Sequence, residues 1–158
     1  MKLKLIFITA IGVAAAGALT LFAQTTSTTT STKSQWDGLY TEAQAARGET
    51  LYYETKKCVL CHNKDLWGFS ADMKLGTALR DVDFFTNWDG ATLGELFDKI
   101  HITMPKNYPG TLNEQESADL MSFILKTNGA PAGSKELPAD VEQLKAYKFL
   151  SKKPAGNE

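Results

Sequence analysis

Apolar residues recur at helical spacing in three stretches of the chain, each opened by a recognisable cap. Thr41 is followed three residues on by Gln44, and Ala45, Gly48 and Tyr52 then share a face. This predicts a first helix that ends just before Cys58. Thr92 and Glu95 form a capping box. Leu93, Leu96, Phe97 and Ile100 follow as an i, i+3, i+4, i+7 stripe, predicting a second helix from Thr92 to Ile102. The third helix follows Asn113, capped by Glu116. It carries a polar stripe of Gln115, Asp119, Ser122 and Lys126 against Leu120, Met121, Phe123, Ile124 and Leu125. Asn128-Gly129 stops it, and Pro131 follows. A weaker fourth helix is predicted from Asp140 to Leu150. No internal repeat and no strand pattern is visible, so the expected class is all-α, with three to four helices and loops.

The stretch from His62 to Thr92 does not fit this scheme. Its charges, glycines and short periodic runs do not support a long helix, yet it holds five aromatic residues. A structureless loop of that length is unusual inside a compact domain. It becomes reasonable if the loop wraps an apolar object that is not polypeptide.

The N-terminus supplies an address. Lys2 and Lys4 precede an apolar run from Leu5 to Ala18, and Leu21-Phe22-Ala23 closes the segment before Gln24. This is the three-part pattern of a secretory signal, with cleavage expected after Ala23 and a periplasmic destination. An uncleaved anchor is the alternative, since Leu3 to Ala23 almost suffices to span a bilayer. Thr25 to Ser34 is nearly pure Thr and Ser, a polar spacer with nothing to bury. The expected organisation is a signal peptide at 1–23, a flexible spacer at 24–35, a folded domain at 36–130 and a C-terminal extension with a short helix at 131–158. The 158 residues carry a net charge of −1, which becomes −3 once Lys2 and Lys4 are removed. No basic field exists to hold nucleic acid.

Only two cysteines occur, too few for the disulfide framework of a small exported domain. They stand as Cys58-Val59-Leu60-Cys61-His62, the attachment pattern of c-type haem. Two thiols three residues apart on one helical turn can each add to a haem vinyl group, and the next residue offers an imidazole to the iron. A thioredoxin-like pair would require a βαβ pattern around the cysteines, which is missing. A zinc site needs four ligands, and the only other histidine is His101. A disulfide across two residues closes too small a loop to stabilise much. One covalently attached haem c is therefore expected, with His62 as its proximal ligand.

The sixth coordination position has four candidates: Met104, His101, Met73 and Met121. Met121 lies in the middle of the third helix as a core filler. Met73 follows His62 too closely and reads as packing. His101, at the end of an amphipathic helix, reads as a solvent-facing or hydrogen-bonding residue. Met104 precedes Pro105, which steers it out of the α region and ends the helix, so an extended strap can present its sulfur. Met104 is the expected ligand.

With these residues the chain resembles class I cytochromes c of the bacterial monohaem type. The resemblance runs from Gln44 to Gly129. It rests on Gly48 and Tyr52, Cys58-x-x-Cys61-His62, Leu79, Phe84, Trp88 and Gly90-x-Thr92-Leu93-Gly94-x-Leu96-Phe97. Thr103-Met104-Pro105 and Asn128-Gly129 complete it. It implies a small cytochrome c fold wrapped around one haem, in which the first and last helices cross where Gly48 meets Phe123 or Leu120. It also implies Met104 as distal ligand and Trp88 beside a haem propionate, with stacking in the core as the alternative for Trp88. Two departures stand out. Thr77 occupies a position where the family commonly has proline, whose carbonyl accepts the proximal histidine's N–H. The interval from Gly48 to Cys58 is also two residues longer than usual, so the first helix should bulge or stop at Thr55 to Lys57. The Trp-x-Gly-x-Thr-Leu-Gly block and the tail also resemble cytochromes associated with quinoprotein dehydrogenases, implying a PQQ-dependent dehydrogenase as donor.

The expected function is a periplasmic electron carrier between a dehydrogenase or respiratory complex and an acceptor such as a terminal oxidase, with no substrate chemistry of its own. Redox proteins are then its partners, and the mature protein has no membrane span if the signal is cleaved. A haem enzyme or ligand sensor with a labile sixth position is one alternative. A cytochrome subunit bound to a quinoprotein dehydrogenase is another.

Overall fold

The computed structural model describes residues 32–69 and 75–155; the expected signal peptide, most of the spacer and Met73 lie outside them. Six α-helices carry the described chain: α1 Glu42–Thr50, α2 Val59–His62, α3 Asp81–Trp88, α4 Leu93–Thr103, α5 Glu114–Thr127 and α6 Val141–Leu144. Among the described residues there is no strand, only isolated bridges from Lys148 to Ser34 and to Thr92. The class is all-α. No helix of the described residues is long and apolar enough to cross a membrane.

The three caps read from the sequence are made. Thr41 accepts from the Gln44 N–H, and Thr92 and Asn113 each close a reciprocal capping box with the glutamate three residues on. Helix α1 passes into a π-helical turn at Leu51–Thr55, closed by the Lys56 N–H on the Leu51 carbonyl at 2.8 Å. Lys57 then takes a positive φ of 52°. The helix therefore reaches Cys58 through a bulge followed by a stop.

Helices α1 and α5 cross at a glycine. A Cβ on Gly48 would stand 1.9 Å from the Asp119 carbonyl oxygen and 2.9 Å from Phe123 Cβ. Only a residue without a side chain lets the two backbones approach this closely. Beside the crossing, Tyr52 and Tyr53 pack on Phe123 at ring separations of 5.4 and 6.0 Å. The polar stripe expected on α5 does not face solvent at its centre. Asp119 is buried, held by Arg47 Nε and Nη2 at 2.9 Å each, and buried Ser122 donates back to the Ala118 carbonyl. A bidentate guanidinium satisfies the carboxylate, and back-bonding satisfies the hydroxyl, so both can be buried.

Three further expectations are corrected. The stretch before Thr92 is not structureless, because α3 occupies Asp81–Trp88 with Phe84 fully buried. The spacer does not run to residue 35: Ser34 and Gln35 are buried, and Ser34 caps a 3₁₀ turn at Gln35–Asp37. The last helix stops at Leu144 instead of reaching Leu150. The reason is tertiary in each case. Residues 147–151 run between the α3–α4 connection and the N-terminal arm. Their backbone bonds include Leu93 N–H to Tyr147 O at 2.9 Å, Phe149 N–H to Ala91 O at 2.8 Å and Lys148 N–H to Lys33 O at 2.8 Å. Gln35 exchanges both side-chain bonds with the Leu150 backbone. The tail therefore shares the core of the domain, burying Leu137, Leu144 and Phe149.

Replacing Gly48 by alanine drives its methyl group into the Asp119 carbonyl and forces α1 and α5 apart. Urea unfolding is expected to show a loss of about 1–3 kcal/mol. An unchanged midpoint would mean that the crossing is looser than the geometry implies.

Candidate functional site

Cys58, Cys61 and His62 lie on one tight turn. Cys58 is the residue before α2, and its carbonyl accepts from the N–H groups of Cys61 at 3.0 Å and His62 at 2.9 Å. The turn is bracketed by two non-glycine residues at positive φ, Lys57 at 52° and Asn63 at 66°; Leu66 follows at 64°. Each such residue costs about 1–3 kcal/mol and persists only where its surroundings impose it. Here the surroundings are visible. Tyr52 donates its hydroxyl to the Asn63 carbonyl at 2.6 Å, and the Leu79 N–H donates to the Leu66 carbonyl at 2.8 Å.

The chain after His62 folds back over the turn. Gly76 donates to the Cys61 carbonyl at 2.7 Å, and Gly68 donates to the His62 carbonyl at 3.0 Å. A Cβ on Gly76 would stand 2.6 Å from both Cys61 O and His62 Nδ1. That close approach brings the next carbonyl onto the ring: His62 Nδ1 lies 2.8 Å from the Thr77 oxygen. A carbonyl only accepts, so Nδ1 carries the proton and Nε2 keeps its lone pair. Burial also holds the His62 pKa below its ordinary value, against the raising effect of the Thr77 bond. The imidazole is therefore a neutral, oriented donor of one nitrogen lone pair, the arrangement found behind metal-ligating histidines.

The far end of the fold-back is fastened by a residue whose role the sequence reading missed. Asn128, expected only to stop α5, donates through Nδ2 to the Leu79 carbonyl at 2.9 Å, and its Oδ1 accepts the Asp81 N–H at 3.2 Å. It joins the loop, the start of α3 and the end of α5. Nothing local in the sequence signals a contact across 47 residues.

Both thiols are free and half-buried. Burial pushes the Cys58 thiol up to about 11, with Cys61 adding to the effect. Reactive dithiols have depressed values, so Cys58 lacks the character of an attacking thiolate. No group of three or more His, Cys, Asp or Glu side chains able to hold a metal ion occurs among the described residues. A haem iron makes no such demand, because the porphyrin supplies four of its ligands and the protein only axial ones.

The other expected site residues lie on separate elements. Met104 directly follows α4 in extended conformation, with φ −112° and ψ 149°, and is half-buried against the core. Trp88 ends α3, half-buried, with its ring 6.3 Å from that of Phe84. Cys58, Met104 and Trp88 all pack against one core cluster. Of the remaining candidates for a second axial ligand, Met121 is fully buried within α5. His101 is engaged elsewhere, with Nδ1 3.3 Å from Ser117 Oγ and its ring 5.8 Å from that of Phe97.

Comparison with protein-family models, with curated proteins and with solved structures found no match to this chain.

A Gly76→Ala change should expel the Thr77 carbonyl from the histidine ring. The expected outcome is loss of the hydrogen-bonded Nδ1–H proton resonance of His62 and a stability loss of about 1–3 kcal/mol. A retained resonance at full stability would show that the fold-back does not depend on this glycine.

Proposed function

We propose that this chain is a monohaem c-type cytochrome that carries single electrons in the periplasm. The observation that carries the reading is the His62 ring, neutral and fixed by the Thr77 carbonyl, on the same turn as two free thiols. The donor set fits the group in kind and number. Cys58 and Cys61 would form the two thioethers, and His62 Nε2 would be the proximal ligand. Met104 would present its thioether sulfur as the distal ligand, and Trp88 would flank the cofactor. When bound, haem supplies an iron that alternates between ferrous and ferric states.

The chain's own part is to hold and to exclude. The Thr77 carbonyl fixes the imidazole tautomer, and electron donation through that bond strengthens the ligating nitrogen. A second axial ligand of thioether type raises the reduction potential and closes the iron to small molecules. Both effects suit a carrier that performs no substrate chemistry. The signal pattern at residues 1–23 supports export, where covalent attachment prevents loss of the cofactor. A net charge near −3 gives little long-range steering. Encounters with redox partners, a PQQ-dependent dehydrogenase as donor and a terminal oxidase as acceptor, should then depend weakly on salt.

A pyridine haemochrome spectrum of the exported protein is expected to report one haem per chain with both vinyl groups saturated. The Met104→Ala variant should keep that haem but lose the red-region sulfur-to-iron charge-transfer band and show a lower reduction potential. The reduced parent should bind carbon monoxide poorly and the variant readily. Absence of haem sinks the proposal. Fast carbon monoxide binding by the parent would instead favour a ligand-binding haem protein.

A further inference from the structure

On the side away from the N-terminal arm, the segment 147–151 runs along the connection between α3 and α4. Gly90 donates to the Phe149 carbonyl, and Phe149 donates to the Ala91 carbonyl, both at 2.8 Å. Leu93 donates to Tyr147, and Ser151 donates to Asp89 Oδ1 at 2.7 Å. The Phe149 side chain is fully buried, edge-on to Phe84 at 5.3 Å and tilted on Phe85 at 5.8 Å. Phe84 in turn carries Trp88. Just beyond, α6 sits against the first turn of α4. A Cβ on Gly94 would lie 2.9 Å from the Val141 carbonyl and 2.8 Å from Lys145 Cγ.

These contacts grip two elements at their shared end. One is α3, whose last residue is Trp88. The other is α4, which leads into Met104. An eleven-residue helix is about 16 Å long, so a tilt of about 10° at its start moves its far end by about 3 Å. A functional side chain must be held to within about 0.5 Å to act reproducibly. The α4 N-terminus is therefore a lever for Met104, and the tail holds it.

We propose that Phe149, with the 147–151 strap, is a positioning residue for the distal side of the haem site: it sets α3 and α4, and through them Trp88 and Met104. The inference rests on the cytochrome reading above. It assigns to the tail a role in tuning the iron's sixth ligand, where simple stabilisation would act equally on both faces. Cys58, Cys61 and His62 are held by other contacts, those of Tyr52, Gly76 and Thr77, and should not feel the strap.

The test uses the full exported protein, with Phe149→Ala and Phe149→Leu. Parent haem content by pyridine haemochrome comes first: its absence overturns the cytochrome reading and the strap's role with it, whereas a haem-loaded parent leaves the variants to test the strap alone. Phe149→Ala should keep one haem per chain. Its charge-transfer band should weaken at least twofold, its reduction potential should fall, and carbon monoxide binding should become faster. Exchange of the Gly90 and Leu93 amide protons should accelerate in the same variant. Phe149→Leu should restore most of the band. If Phe149→Ala does not fold, a smaller shift of the same sign in Phe149→Leu carries the test. Lower unfolding stability with an unchanged band and potential, in whichever variant folds, would overturn the proposal.

Discussion

The hydrogen bond from His62 Nδ1 to the Thr77 carbonyl joins two residues fifteen apart, and much of the local structure exists to permit it. The chain must turn sharply after His62, which Asn63 and Leu66 do at positive φ. It must then return close enough for a backbone oxygen to reach a buried ring, which requires no side chain at residue 76. It must also be held there, and the Leu66–Leu79 bond and the Asn128 side chain do so. Three of the four non-glycine residues at positive φ among those described lie between Lys57 and Leu66. Strain is gathered around one turn and stabilised from the π-helical turn after α1, the end of α5 and the fold-back together. Strain distributed this way points to a constraint on what the turn must present, not to an accident of loop closure.

Around that turn the helices form two attachments. The α1–α5 crossing at Gly48 supports the turn from behind, with Tyr52 bonded to Asn63 while its ring packs on Phe123. The second attachment is the tail, which ties the N-terminal arm, the α3–α4 connection and α4 into one body through Gln35, Phe149 and α6. Gln44 adds a paired exchange with the Leu137 backbone at 3.0 and 2.7 Å, linking α1 to the same tail. A short domain has little apolar area to spare. Among the described residues 20 hydrophobic ones are buried, and the tail contributes three of the larger ones, Leu137, Leu144 and Phe149. It is part of the core, not an appendage on it.

What could be read from the sequence follows the range of the interactions involved. The starts of α1, α4 and α5 were legible because each is a contract between residues three apart: Thr41 with Gln44, Thr92 with Glu95, Asn113 with Glu116. The close crossing at Gly48 was legible through the family resemblance, and the bulge before Cys58 through a length difference. Helix α3 was not, because its first N–H is capped by Asn128 and its own preceding residue, Arg80, makes no side-chain cap. The end of α6 was not, because residues 147–151 exchange helical bonds for partners at 33 and 91–93. Of the candidate site, the turn that carries Cys58, Cys61 and His62 is local, and the grouping of these residues was legible in the sequence. The acceptor is the Thr77 carbonyl, at the position where the resemblance has proline; a backbone oxygen does not depend on the side chain, so the bond is made despite the departure. The clamp at Asn128 depends on two distant segments, and no local pattern could have shown it.

The chemistry of the two cysteines can be weighed against that geometry. A redox-active pair gains from a depressed thiol pKa, yet Cys58 is pushed the opposite way by burial. A thiolate–metal site needs further donors, and none gather among the described residues. A thioether has no proton to lose, so burial imposes no electrostatic cost on it, and half-burial of both sulfurs favours contact with an apolar ring system. The neighbouring imidazole follows the same logic. Burial disfavours its cationic form, and its one N–H, at Nδ1, donates to the Thr77 carbonyl, so the nitrogen left free is the one able to bind a metal. Burial thus holds the Cys58 thiol and the His62 ring in the neutral forms that haem attachment and ligation would use, and leaves Cys58 poorly prepared for the competing chemistries. That convergence, on residues consecutive enough to be one motif, is the physical basis on which the cytochrome reading stands.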